Sequence, residues 1–192
     1  MNDHRRLEVP RAAGAPAWIE LLAGDITTIR ADAIVNAANQ ALAGGGGVDG
    51  AIHRAAGPEI GAELRSRYRG CPTGSAVITG PGRLSDHGVR WIVHAVGPVW
   101  TGGRHREEAL LRSAYETSLE LADRAGARTV AFPAISAGIY GYPLDLAADV
   151  ALRAVGGSLV RARTIEVATF VLFSEGVLAA FERALASLSA ET

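Results

Sequence analysis

From residue 107 onward the chain alternates between amphipathic helix and short apolar strand, and that alternation narrows the fold more than any other feature. Glu107 to Ala125 carries Leu110, Leu111, Ala114, Tyr115, Ser118, Leu121 and Ala122 at helical spacing, with Gly126 where a C-terminal cap belongs. Thr129 to Phe132 is a strand stopped by Pro133, and Leu144 to Val155 is a helix bracketed by Pro143 and Gly156. Ile165 to Phe173 is a long apolar strand, after which Ser174 can cap a last helix running to Leu188. The strands are apolar on both faces, so helices must cover both sides of the sheet they build. The expected fold is an α/β three-layer α/β/α sandwich around a mixed, mostly parallel sheet.

The first half is less regular. Residues 1–16, with their charges, Pro10, Gly14 and Pro16, read as a flexible N-terminal arm, which leaves 17–192 as a single domain. Trp18 to Ala23, Ala33 to Ala37, Ser75 to Thr79 and Trp91 to Val96 read as strands. Asp49 to Ala56 and Glu59 to Tyr68 read as short helices separated by Gly57-Pro58. No internal repeat and no linker interrupts the pattern.

Composition excludes more than it identifies. The formal net charge of -1 gives no general attraction for nucleic acid or an anionic membrane, so any phosphate must be held by local geometry. All 19 basic side chains are arginine, which excludes Schiff-base chemistry and a P-loop lysine. Cys71 is the only cysteine, so no internal disulfide can form. The histidines, His4, His53, His87, His94 and His105, lack the spacing of a structural zinc site. No apolar run is long enough to span a membrane and the N-terminus lacks the apolar segment of a signal peptide, so a cytoplasmic protein is expected.

In a sheet of this class ligands sit beyond the carboxyl ends of the strands, so the chemistry should lie in the loops that follow them. The first such loop is Asn36-Ala-Ala-Asn39, then Gly44-Gly45-Gly46-Gly47-Val48-Asp49-Gly50. Four consecutive glycines let main chain approach a ligand closely. Their N–H groups can turn inward as an anion-binding concavity, and the helix starting near Asp49 adds the positive end of its dipole. Gly45, Gly47 and Gly50 also fit the dinucleotide fingerprint G-x-G-x-x-G. That motif alone is weak here, since the run begins several residues past the strand and no acidic residue ends a strand about 20 residues further on.

Asp49 is out of place beside a phosphate loop, where like charges repel. Two readings stand: a carboxylate that orients and polarises a water, or an aspartate serving the helix dipole. The second loop, Pro133 to Pro143, should lie on the same sheet edge, where Ser136, Ala137, Gly138 and Ile139 can offer backbone donors and Tyr140 can pack on a sugar. It is otherwise a plain strand-to-helix connection with a core tyrosine. Asp25, after the first strand, can accept a hydrogen bond from an amino group or cap a turn. Phe173 can stack on a base or fill the core. Cys71, His53 and His94 read as structural.

Together these segments resemble the macrodomains, specifically the branch that removes mono-ADP-ribose or deacetylates O-acetyl-ADP-ribose. The matching stretches are Gly-Asp-Ile-Thr at 24–27, Asn-Ala-Ala-Asn at 36–39, Gly-Gly-Gly-Gly-Val-Asp-Gly-Ala-Ile-His at 44–53 and Cys-Pro-Thr-Gly at 71–74. His-Ala-Val-Gly-Pro-Val-Trp at 94–100 and Ile-Ser-Ala-Gly-Ile-Tyr-Gly-Tyr-Pro at 135–143 complete them. The resemblance runs from about Trp18 to Leu188.

The resemblance implies that Asp25, with Ile26 beside it, holds the adenine amino group and that Phe173 faces the base. It implies that Asn39 bonds the distal ribose and that Asp49 is the catalytic carboxylate. Gly45, Gly46, Gly47 and Val48 would wrap the diphosphate together with Ser136, Ala137, Gly138, Ile139 and Tyr140, and Tyr140 would border the distal ribose. Ala137 stands where many relatives have threonine, and Tyr140 where some have phenylalanine. The implied reaction is hydrolysis of an ester at the distal ribose, without metal or other cofactor. The substrate would be O-acetyl-ADP-ribose or a protein modified on an acidic side chain, and the enzyme is expected to act as a monomer away from membranes. A non-catalytic reader of ADP-ribosylated proteins, or a hydrolase of ADP-ribose linked to nucleic acid, are the alternatives. The presence of both Asn39 and Asp49 favours an enzyme over a reader.

Overall fold

The computed structural model describes residues 5–12 and 14–191. Seven strands form one sheet: β1 Arg6–Val9, β2 Ala17–Ala23, β3 Ala33–Ala37, β4 Ala76–Thr79, β5 Trp91–Ala95, β6 Thr129–Phe132 and β7 Val167–Leu172. Their spatial order is β1-β2-β7-β6-β3-β5-β4. The five inner strands are parallel, and only the edge strands β1 and β4 run antiparallel to their neighbours. Five helices cover the sheet: α1 Gly47–Ala56, α2 Pro58–Arg67, α3 Glu107–Arg124, α4 Leu144–Leu159 and α5 Glu175–Ala190. This is the expected mixed α/β sandwich.

The two faces carry separate cores. Against one face α3, α4 and α5 bury Leu111, Tyr115, Leu119, Ala151, Val155 and Phe181 on Ile19, Val35, Val93, Phe132 and Phe170. Here Phe170 lies between Phe132 and Phe181, with ring centroids 5.6 and 5.1 Å away. Against the other face α1 and α2 bury Ile52, Ala56 and Ile60 on Ile34, Ile92 and Val171. Strands covered on both sides lose the period-two alternation of half-exposed strands, as Ala33, Ile34, Val35 and Asn36 do, all fully buried. No helix among the described residues is long and apolar enough to cross a membrane.

Three expectations change. The arm expected over 1–16 is in part a strand, because Arg6–Val9 pairs with β2 in the register Arg6↔Glu20 and Val9↔Ala17. Val9 turns into the core, and the Arg6 guanidinium lies 3.9 Å from the Trp18 ring centroid, so charges that read as solvated are tied down. Residues 1–4 and 13 lie outside the described residues. The fourth helix does not stop at Gly156 but runs to Leu159. Gly156 therefore lies inside the helix and is not its cap; a Cβ there would make ordinary contact with Ile19 Cδ1 at 3.7 Å. The last strand is shorter than Ile165 to Phe173, and Phe173 lies just beyond it.

Candidate active site

The chain leaves β3 toward α1 on one face and leaves β6 toward α4 on the other, although β3 and β6 are neighbours. Connections that diverge from adjacent parallel strands open a crevice at their carboxyl ends. A cleft of about 700 Å³ lies there. It is lined by Gly24, Asp25 and Ile26 after β2, by 37–39 and Gly45, Gly46, Gly47, Val48 and Asp49 after β3, by 133–140 after β6, and by Phe173 after β7. Every residue given a catalytic or ligand-binding role from the sequence therefore meets the same cavity.

The glycine run forms the floor. Gly44 and Gly47 have φ of 77° and 58°, in the left-handed region that favours glycine. At Gly46 a Cβ would lie 3.2 Å from Ile139 Cδ1, which reaches across from the opposite loop. Gly47 begins α1, so its N–H and that of Val48 belong to the unpaired first turn, with Asp49 one residue further on. Gly50 has no room for a side chain, since its Cβ would lie 2.4 Å from the Gly45 carbonyl oxygen. That approach presses the start of the helix onto the loop.

The facing wall is Pro133 to Tyr140. Ser136 has φ 64° and is buried, and its hydroxyl has no hydrogen-bond partner. The Ser136 carbonyl accepts from the Tyr142 N–H at 3.0 Å and the Tyr140 carbonyl from the Trp100 N–H at 2.9 Å. Trp100 and Tyr142 pack with centroids 4.5 Å apart. The core tyrosine of this loop is thus Tyr142, and Tyr140 is the one that lines the cleft. Trp100 leads into a loop held by Glu107, whose carboxylate accepts from the Thr101 hydroxyl at 2.7 Å and the Thr101 and Gly103 N–H groups at 3.2 Å, and from His105 N–H. These bonds, the Thr101 hydroxyl foremost, lower the Glu107 pKa to about 2.

Asp49 is buried, and its two oxygens differ. Oδ1 accepts from Asn36 Nδ2 at 2.7 Å and lies 3.4 Å from His53 Nε2. Oδ2 lies beside Gly45, where a Cβ would be 3.2 Å from it and 3.6 Å from Asn39 Nδ2. Asn39 donates to the Gly44 carbonyl at 2.8 Å and so closes the loop that carries the glycines. Behind Asn36, its register partner His94 places Nδ1 3.2 Å from Asn36 Nδ2 and Nε2 3.0 Å from Thr79 Oγ1. Burial, and after it the nearby His53, lowers the His94 pKa to about 3, so the ring is neutral.

At the far end Asp25 does two things at once. Its Oδ1 caps the turn Ile26–Thr28, accepting from the Thr27 N–H at 2.9 Å and hydroxyl at 2.8 Å, while the residue lines the cleft. Phe173 is 85% exposed, which rules out the core reading and leaves a ring face free at the rim. Sequence reasoning missed Arg54, the one basic side chain among the described residues lining the cleft, and Gly97, which passes beneath Ser136. It also gave no role to Asn36. The available signal was a lone amide in the apolar run Ala33–Ala37, matched by a lone imidazole in Trp91–Ala95.

Comparison with known proteins identifies the family. A family model described as "Macro domain" matches residues 35–151. An O-acetyl-ADP-ribose deacetylase of Pantoea vagans is 51% identical over 158 residues, covering 81% of this chain and 91% of that protein. A macro domain-containing protein of Caldanaerobacter subterraneus is 53% identical over 160 residues, covering 82% and 89%. Among solved structures, an Oceanobacillus iheyensis macrodomain with ADP superposes with TM-score 0.86 at 36% identity, covering 97% of this chain and 98% of that one. A Trypanosoma brucei macrodomain in complex with ADP-ribose gives 0.79 at 38% identity, covering 87% and 68%.

Proposed function

Because this chain belongs to the macro domain family, we propose that its cleft binds ADP-ribose and that Asp49 and Asn39 hydrolyse an ester at the distal ribose. Water is added across the ester, giving free ADP-ribose and a carboxylic acid. The acid is acetic acid from O-acetyl-ADP-ribose, or an aspartate or glutamate side chain from a modified protein.

The observation that carries this reading is the Asp49 carboxylate, held from behind by Asn36 with its second oxygen beside Gly45, at the edge of a floor of main-chain amides. Backbone N–H groups at a helix start suit a diphosphate and need no cationic side chain. Asp49 in the first turn of α1 also suits the helix dipole, but a carboxylate opposes a bound diphosphate, so its place at the edge of the cleft fits a task on substrate rather than on the anion. Asn39 fixes a ribose hydroxyl in this reading, Asp25 takes the adenine amino group, and Phe173 covers the base. Asp49 orients the attacking water, and general-base help of this kind is worth roughly 10²–10⁴-fold. Ser136, with its unpartnered hydroxyl, and the 137–140 backbone face the phosphates from the other wall.

Calorimetry with ADP-ribose tests the binding half. Product analysis on O-acetyl-ADP-ribose and on a mono-ADP-ribosylated acidic protein tests the chemistry, for wild type and Asp49→Ala, with and without a chelator. The expected outcome is chelator-insensitive release by the wild type and a large loss in the variant. Binding of ADP-ribose with no turnover of either substrate would make the protein a reader.

A further inference from the structure

We infer that Asn36 is a positioning residue for Asp49, and that its amide is held in orientation by a hydrogen-bond chain running from Gly80 through Thr79 and His94. This rests on the hydrolase reading above.

Asn36 is fully buried in a strand whose neighbours are apolar, and burying an amide there costs free energy unless its bonds are made. Its two Nδ2 protons have two destinations, Asp49 Oδ1 at 2.7 Å and His94 Nδ1 at 3.2 Å. The reversed amide would set its single oxygen against the carboxylate, so Asp49 determines the orientation. His94 Nδ1 then accepts, which makes Nε2 the N–H of the ring. That proton goes to Thr79 Oγ1 at 3.0 Å, and the Thr79 hydroxyl donates to the Gly80 carbonyl at 3.0 Å. Every donor from Asn36 to Thr79 is matched with an acceptor. Asn36 Oδ1 alone has no partner, so the amide is kept for what its nitrogen does.

The consequence falls on the Asp49 rotamer. With Oδ1 anchored by Asn36, Oδ2 is presented beside Gly45. His53 Nε2, 3.4 Å from the same Oδ1, competes for the carboxylate from within α1. Without the Asn36 donor, Asp49 turns toward His53 and Oδ2 leaves its place at the cleft.

The test is Asn36→Leu, which keeps approximate shape and removes both donors, assayed for turnover alongside ADP-ribose calorimetry and in a cycle with Asp49→Ala. The expected result is ADP-ribose affinity within about twofold of wild type and little change in KM. The expected fall in kcat is at least about tenfold, part of the roughly 10²–10⁴ a general base supplies. In the Asp49→Ala background the same change should lower the residual rate no further, which distinguishes positioning from a general loss of structure. Thr79→Val, with Thr79→Ser restoring activity, reads the same chain should Asn36→Leu fail to fold. Wild-type kcat in Asn36→Leu, or an equal loss with and without Asp49, overturns the positioning role alone. Wild-type turnover by Asp49→Ala overturns both it and the hydrolase reading.

Discussion

The phenolic oxygen of Tyr115 accepts the Ile135 N–H at 2.8 Å and donates to the Pro133 carbonyl at 3.2 Å. The ring stands on α3 in the core, fully buried, and burial pushes its hydroxyl pKa upward. One core side chain thus ties the wall of the cleft to the helix layer beneath it. Tyr115→Phe keeps the packing and leaves a buried N–H unsatisfied, at a cost of about 1–3 kcal/mol. The expected outcome is a lower Tm, faster amide exchange at Ile135 and weaker ADP-ribose binding. Unchanged exchange at Ile135 would remove the tether.

His94 makes the fold sensitive to acid. In the unfolded chain an ordinary imidazole takes a proton near pH 6.5, whereas the buried ring stays neutral down to about pH 3. Between those values the unfolded state binds more protons, so stability falls as pH falls, by at most roughly 1.4 kcal/mol per pH unit. Urea unfolding at pH 7.5 and pH 5.5 should show this loss in the wild type and a smaller one in His94→Gln. Equal losses in the two proteins would show that His94 is not the sensor.

Gly97 lies where β5 ends beneath the second loop. A Cβ there would come within 2.3 Å of Ser136 Oγ and 2.5 Å of Ile135 Cγ2. Gly97→Ala must displace that loop, and overpacking of this kind costs about 1–3 kcal/mol. Loss of ADP-ribose affinity exceeding the loss of stability is the expected signature, read by calorimetry and thermal melting side by side.

Phe173 offers the reverse signature. Its ring is almost wholly exposed, so Phe173→Ala should leave stability within about 0.5 kcal/mol of wild type. If the ring covers adenine, the same change should weaken ADP-ribose by about 0.5–1.5 kcal/mol while leaving ribose 5-phosphate binding untouched. Equal effects on the two ligands would place the base elsewhere.

The sheet could be read from sequence because strands buried on both faces are mostly apolar, and because α3 shows its helical period. The glycine floor and Asp49 were legible for a related reason: both are unusual in the chain itself. What escaped depended on contacts between distant residues. Asn36 and His94 are 58 positions apart and meet only through the β3–β5 register. Gly156 carries the same signal whether it ends a helix or lies inside one. β1 was hidden because four residues are too few to display alternation, and because its charges find partners only once folded, Arg6 on Glu20 at 3.0 Å and Arg5 on Glu182 at 2.6 Å.

That short first strand also covers the outer edge of β2. β2 is seven residues long and mostly apolar, and without Arg6–Val9 its outer row of amides and carbonyls would be bare. Such a row is a template for pairing with another chain. A ribbon of four residues, with Arg6 and Glu8 exposed, leaves little to extend. Deleting it would leave the cleft residues in place and make the protein prone to aggregate.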